Sequence, residues 1–184
     1  PGYGCSAKMA RVSLFWNMAR CDSLMLDENM KTGDVITSSG GEMTLTYSRD
    51  DGICDTPAGH FENCSVYILD GEQCGLTHCE TWLCRGVGIV RQTVTRGGET
   101  QEWILSAYQT DGTDGLLPFA AGNRWEYVLA TPETVWLAER ENIFEVTACD
   151  SSSVVLSNMS FVAIKGYLDT WEGKTAEARY EYCK

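Results

Sequence analysis

The chain has 184 residues, of which 43% are hydrophobic and 22% charged, a globular balance that excludes a disordered polar chain. Its formal net charge is −12, from 26 acidic and 14 basic residues; such a surface repels nucleic-acid phosphates and anionic lipid heads, so neither is an expected partner. No stretch approaches the roughly 18 apolar residues of a membrane span, so this segment is not expected to insert in a membrane. The length suffices for one sizeable core or two small packed units. The chain opens at Pro1 without an initiator Met, and no basic stretch followed by an apolar one reads as a signal peptide. The expectation is a piece of a larger protein, or a chain whose signal has been removed.

In chain order, residues 11–18 place Val12, Leu14, Trp16 and Met18 on one side at period two. A helical stripe through Met9, Val12, Trp16 and Ala19 fits nearly as well. Strand signals strengthen afterwards. In residues 42–48, Met43, Leu45 and Tyr47 alternate with Glu42, Thr44, Thr46 and Ser48, giving one buried and one wet face. Residues 61–69 form a β-branched and aromatic run that the Asp70-Gly71 pair is expected to close as a turn. Residues 78–84 then return as its hairpin partner. Gly86-Val87-Gly88 marks a tight bend or bulge. Residues 89–94 lead to the Arg96-Gly97-Gly98 turn, and residues 100–108 answer it as the next strand. Consecutive short strands with tight turns make an antiparallel meander.

Residues 109–115 (Gln-Thr-Asp-Gly-Thr-Asp-Gly) are small, polar and without apolar periodicity, the pattern of a linker. They lack the spaced carboxylates and closing Glu of a calcium loop. Beyond them, Trp125, Tyr127 and Leu129 alternate against Arg124 and Glu126, and Phe144, Val146 and Ala148 against Glu145 and Thr147. Residues 150–153 read as a turn, and 154–167 as one or two further strands. From Asp169 or Thr170, Trp171, Thr175, Ala178 and Tyr182 recur at helical spacing, which predicts a C-terminal helix. Gly173 costs such a helix about 1 kcal/mol.

Nine cysteines (Cys5, Cys21, Cys54, Cys64, Cys74, Cys79, Cys84, Cys149 and Cys183) cannot all pair within one chain. The chain also exceeds the small secreted scaffolds that depend on disulfides. Oxidised pairs outside the cell and buried reduced thiols both remain open. The cluster Cys74, His78, Cys79 and Cys84, which Cys64 would join across the hairpin, holds ligand-type residues, but its C-x4-C spacing lies within a strand rather than in a tight zinc knuckle. Within a strand, Cys79 and Cys84 point to opposite faces. A cross-strand disulfide from Cys64 to Cys79 or to Cys84 is one alternative to unpaired thiols. His60, in the turn before residues 61–69, is expected to be exposed. No nucleophile elbow, zincin motif, P-loop or catalytic-cysteine signature occurs. Carboxylate pairs arise by chance in so acidic a chain, which weakens a glycosidase reading. The six tryptophans are expected in the core rather than as a sugar-stacking face. No catalytic, cofactor-binding or metal-binding residue is assigned.

Two segments are alike, residues 29–36 and 119–127. Each carries a glycine followed by Asp or Asn, Gly33-Asp34 and Gly122-Asn123, and then an apolar strand start. A glycine turn with a side-chain-to-backbone bond is expected to launch the first strand of each of two tandem β units. The order Gly33-Asp34, then Thr56-Pro57-Ala58-Gly59-His60-Phe61, then Gly86-Val87-Gly88-Ile89-Val90 resembles the β domains of uncharacterised bacterial surface and lipoprotein-type proteins. Residues 24–108 follow the whole order; residues 116–128 follow its opening alone. Each motif glycine and proline also has an architectural reading, Pro57 at the start of a strand and Gly59 with positive φ.

The resulting expectation is a mainly β, α+β chain of antiparallel meander or half-barrel units with a C-terminal helix. Residues 1–23 would belong to a preceding segment or edge strand, 24–108 to one β unit, 109–115 to a linker, and 116–184 to a second unit packed on the first. The resemblance implies a non-enzymatic, extracytoplasmic structural or ligand-binding module of a larger bacterial protein, whose partner is an unknown protein or small molecule. The alternative is a cytoplasmic metal- or redox-sensing domain using Cys74, His78, Cys79 and Cys84.

Overall fold

The computed structural model describes residues 29–38, 40–73, 76–111, 115–130 and 142–149, with strand backbones at 5–6, 9–10, 26–27, 153–158 and 162–167. Ten strands form one antiparallel sheet in which spatial order equals chain order. They are β1 (Val35–Thr37), β2 (Met43–Thr56), β3 (Gly59–Gln73), β4 (Leu76–Cys84) and β5 (Gly88–Arg96). They continue as β6 (Glu99–Gln109), β7 (Arg124–Leu129), β8 (Asn142–Cys149), β9 (Ser153–Asn158) and β10 (Val162–Tyr167). Two short bridges lie outside this sheet, Cys5–Ser6 with Pro118–Phe119 and Met9–Ala10 with Leu26–Asp27. Among the described residues none is helical. The expected helix after Asp169, the strand at 11–18, and residues 112–114 of the linker lie outside the described residues.

The period-two pattern sets the faces. On β2, Met43, Leu45 and Tyr47 are buried while Thr44, Thr46 and Ser48 are half-buried. One cross-sheet row, Tyr47, Tyr67, Thr81, Gln92, Trp103 and Leu129, runs through paired positions on β2 to β7. Side chains at paired positions share a face, and this row belongs to the inner one. Tyr47 and Tyr67 stack with ring centroids 4.7 Å apart, and Gln92 donates to Thr81 Oγ1 at 2.9 Å. Farther along, Leu105, Tyr127, Phe144 and Val146 are almost wholly buried. Each such side chain contributes on the order of 1.5–3 kcal/mol by leaving water.

The sheet curls. The Ala58 amide at the tip of the β2–β3 hairpin donates to the Leu105 carbonyl on β6 at 3.3 Å, four strands away in sheet order. Leu116, Leu117 and Phe119, between β6 and β7, are buried. The Tyr127 hydroxyl donates to the Ile89 carbonyl at 2.9 Å, and the Trp125 indole to the Val87 carbonyl.

Two local expectations need correction. Asp70-Gly71 does not close a turn: β3 runs through to Gln73, and Gly71 pairs with Met43. Its φ is +141°, and a Cβ there would strike the Glu42 carbonyl and Met43. The glycine therefore serves a close approach of two strands, which a turn signal resembles in sequence. Pro57, expected at the start of a strand, sits instead with Ala58 in the two-residue turn joining β2 to β3. There its fixed φ presets the turn, and its missing N–H costs no ladder bond.

The two alike segments share one backbone geometry. Gly33 and Gly122 have φ of +92° and +91°, the positive φ that the third position of a type II turn demands. Asp34 N donates to Lys31 O at 2.8 Å, and Asn123 N to Ala120 O at 2.9 Å. Each glycine N then donates to the next long strand, Gly33 to Tyr47 O and Gly122 to Val146 O, both at 2.8 Å. Tyr47 N and Val146 N answer to the carbonyls of Asp34 and Asn123. The strand launched by the second turn, β7, pairs directly with β6, so the sheet continues across residues 109–115.

Candidate functional site: an arginine-flanked tryptophan beside a cross-strand disulfide

One residue away from the inner row, pairing aligns Arg49, Val66, Trp82, Arg91, Ile104 and Val128 on the opposite face. Trp82 is half-buried at its centre. The Arg49 guanidinium lies 5.6 Å from its ring centroid and that of Arg91 5.8 Å, both within cation–π range. The Trp82 indole donates to Glu80 Oε1 at 2.6 Å, and Arg91 Nη2 pairs with Glu102 Oε1 at 2.5 Å. Two cations thus face two carboxylates around one aromatic ring. Gly52 passes so close that a Cβ would meet the Cys64 carbonyl and the Trp82 ring. Three register shifts between Tyr47 and Cys54 bend β2 there. The cluster thus joins one aromatic ring, two guanidinium groups and the carboxylates of Glu80 and Glu102 on one face of the sheet.

The sulfur chemistry lies two pairs along the same ladder from Val66 and Trp82. Ser65 pairs with Leu83, so the next pair is Cys64 and Cys84, and these form a disulfide with Cα atoms 4.4 Å apart. Of the two cross-strand pairings open from sequence, the Cys84 one is formed. Cys79, on the opposite face of β4, is a buried free thiol. Burial pushes its pKa up to about 11, against the opposing hydrogen bond with Thr81 Oγ1 at 3.6 Å. Cys54 is also free and buried, and burial raises its pKa while the Arg91 guanidinium pulls the other way. Protonated, enclosed thiols are poor nucleophiles and poor metal ligands.

The histidines face outward. His60 Nδ1 meets Asp55 Oδ1 at 2.6 Å and its Nε2 meets Glu62 Oε1 at 3.3 Å. Hydrogen bonds that its ring N–H groups donate to these two carboxylates, Asp55 foremost, raise its pKa above the ordinary histidine value. As expected from its place near the turn, it is exposed. His78 Nδ1 meets Asp70 Oδ1 at 2.7 Å. The Cys74–His78–Cys79–Cys84 set is therefore not gathered: Cys84 is bonded to Cys64, Cys79 is enclosed, His78 pairs with Asp70, and Cys74 lies outside the described residues. Among the described residues no group of three or more His, Cys, Asp or Glu side chains is placed to hold a metal ion. Of the tryptophans, Trp125 is buried as expected, whereas Trp82 and Trp103 are half-buried. Sequence reading missed Arg49, Arg91 and Glu102 as neighbours of Trp82, because only strand register brings them together. No protein family, curated protein or solved structure matches the chain.

Proposed function

We propose that the chain is a non-enzymatic, extracytoplasmic structural or ligand-binding module of a larger bacterial protein, with the Trp82 cluster as its ligand-facing surface. The observation that carries this reading is the Cys64–Cys84 bridge between adjacent strands of a continuous meander, since such a cross-link persists in an oxidising compartment. Among the described residues, the free thiols and the histidines are consistent with it. Cys54 and Cys79 are buried and held protonated, and His60 and His78 are engaged with surface carboxylates. The test is the redox state of the protein in the producing cells. Rapid alkylation at lysis, followed by peptide mass spectrometry, should recover Cys64 and Cys84 joined and Cys79 free. Recovery of Cys64 and Cys84 as alkylated thiols would overturn the extracytoplasmic reading. Stoichiometric zinc with those thiols would favour the metal-sensing alternative.

A further inference from the structure

At one end of the sheet β2 and β3 outrun their neighbours. Among the described residues, β1 pairs with β2 over residues 44–46, and β4 pairs with β3 over residues 65–73. Beyond both neighbours, residues 53–62 project as a two-stranded arm held together by the pairs Cys54–Phe61, Asp55–His60 and Thr56–Gly59. A hairpin of two strands is marginal by itself, so its behaviour depends on what fastens it to the body. Both strands break at the base of the arm. On β2, Asp50 and Asp51 stand opposite Ser65 alone; on β3, Glu62 and Asn63 stand opposite Ile53 alone. Such bulges bend a strand and interrupt its ladder. Asn63 has a φ of +54°, the only positive φ outside glycine among the described residues. On the body side of the break, the Cys64–Cys84 disulfide ties β3 to β4, which fixes the sheet where the arm begins.

The fastenings of the arm itself are few. Cys54 and Phe61 share a face and are 4% and 8% exposed, and Phe61 packs on Tyr108 of β6 with ring centroids 5.9 Å apart. The Ala58 amide donates to the Leu105 carbonyl at 3.3 Å, yet it has a second acceptor within the arm, Thr56 Oγ1 at 3.2 Å. The two ion pairs of His60, with Asp55 and Glu62, stay inside the arm. Among the described residues no ion pair or disulfide joins the arm to the body. We infer that residues 53–62 are a flap, which swings about this double break while the rest of the sheet stays folded. Opening it uncovers the Cys54 thiol, Phe61 and the inner face at Leu105 and Tyr108. It gives up two buried side chains and one shared hydrogen bond, whereas opening the body would separate strands paired on both sides. This motion is independent of the compartment and of any ligand at Trp82.

Two buried free thiols supply the test, Cys54 on the arm and Cys79 on β4 between its partners Leu69 and Val94. The intact chain, disulfide formed, is labelled with N-ethylmaleimide across sub-denaturing urea concentrations, and each cysteine is followed by peptide mass spectrometry. A local opening exposes little surface, so the Cys54 rate should be nearly flat in urea and on the order of a hundredfold above that of Cys79. The Cys79 rate should rise steeply with urea, as global unfolding does. Tyr108→Ala, which removes the ring under Phe61, should speed Cys54 labelling about tenfold. Asn123→Ala, which weakens the body and leaves the arm alone, should speed Cys79 on the order of a hundredfold and leave Cys54 unchanged. A Cys54 rate as steep in urea as that of Cys79 overturns the flap, because the thiol would then be freed only by unfolding of the whole sheet. Equal acceleration of both thiols by Asn123→Ala overturns it for the same reason. A Cys54 rate indifferent to Tyr108→Ala overturns it as well, since the reagent would then reach the thiol with the arm closed.

Discussion

The turns at Gly33 and Gly122 have the same φ and the same backbone bonds, yet their following residues lead opposite lives. Asp34 is exposed, and its carboxylate accepts one bond, from Lys31 N at 2.7 Å. Asn123 is 1% exposed; its Oδ1 accepts from Asp111 N at 2.8 Å and its Nδ2 donates to the Pro118 carbonyl. The first turn stands at the edge of the sheet, and the second sits in its middle, roofed by Leu116–Phe119. Local geometry is repeated while the energetic weight is not. A polar side chain at the edge shares its bonds with water, whereas the same bonds in the interior have no substitute.

Asn123→Ala should therefore produce the largest effect. It strips a partner from the Asp111 amide and from the Pro118 carbonyl, at about 1–3 kcal/mol for each group left unpaired. Urea unfolding with the disulfide intact should show a loss of about 2–4 kcal/mol at unchanged m-value. A loss no greater than that of Asp34→Ala would break the contrast between the two turns. Next come Gly33→Ala and Gly122→Ala. A Cβ at either position meets nothing within 4 Å, so the cost is that of positive φ alone, about 1–2 kcal/mol. The two losses should be equal, and a marked inequality would show that the turns are not equivalent. Asp34→Ala should cost only about 0.5–1 kcal/mol, the net worth of one solvated hydrogen bond.

The smallest effect is the pH response of His60. Its raised pKa favours the imidazolium in the folded state. The associated stabilisation is thus fully present below the unfolded histidine value of about 6.5. It is lost as pH rises through the folded-state value. In an NMR titration His60 should ionise above the ordinary histidine value, and Asp55→Asn should bring it down. An unchanged midpoint in that variant would remove Asp55 as the cause.

Much of the fold was legible. Alternation along residues 42–48, 89–94, 100–108 and 124–129 predicted strands that exist, because a half-buried strand must repeat at two residues whatever its neighbours. Less of the site was legible. Asp70-Gly71 read as a turn because a glycine needed for close strand approach carries the same local signal as one needed for chain reversal. Cys64 had two plausible partners on β4, and register chose between them.

The sequence alone determined the β class, the meander order and the two glycine turns, since each rests on contacts between residues near in the chain. Tertiary structure decided the Cys64–Cys84 pairing, the gathering of Arg49, Arg91 and Glu102 around Trp82, and the burial of Asn123 against the exposure of Asp34. These depend on which strands lie side by side and in what register. A shift of one residue moves every side chain of a strand to the other face, and only the packed sheet fixes that choice.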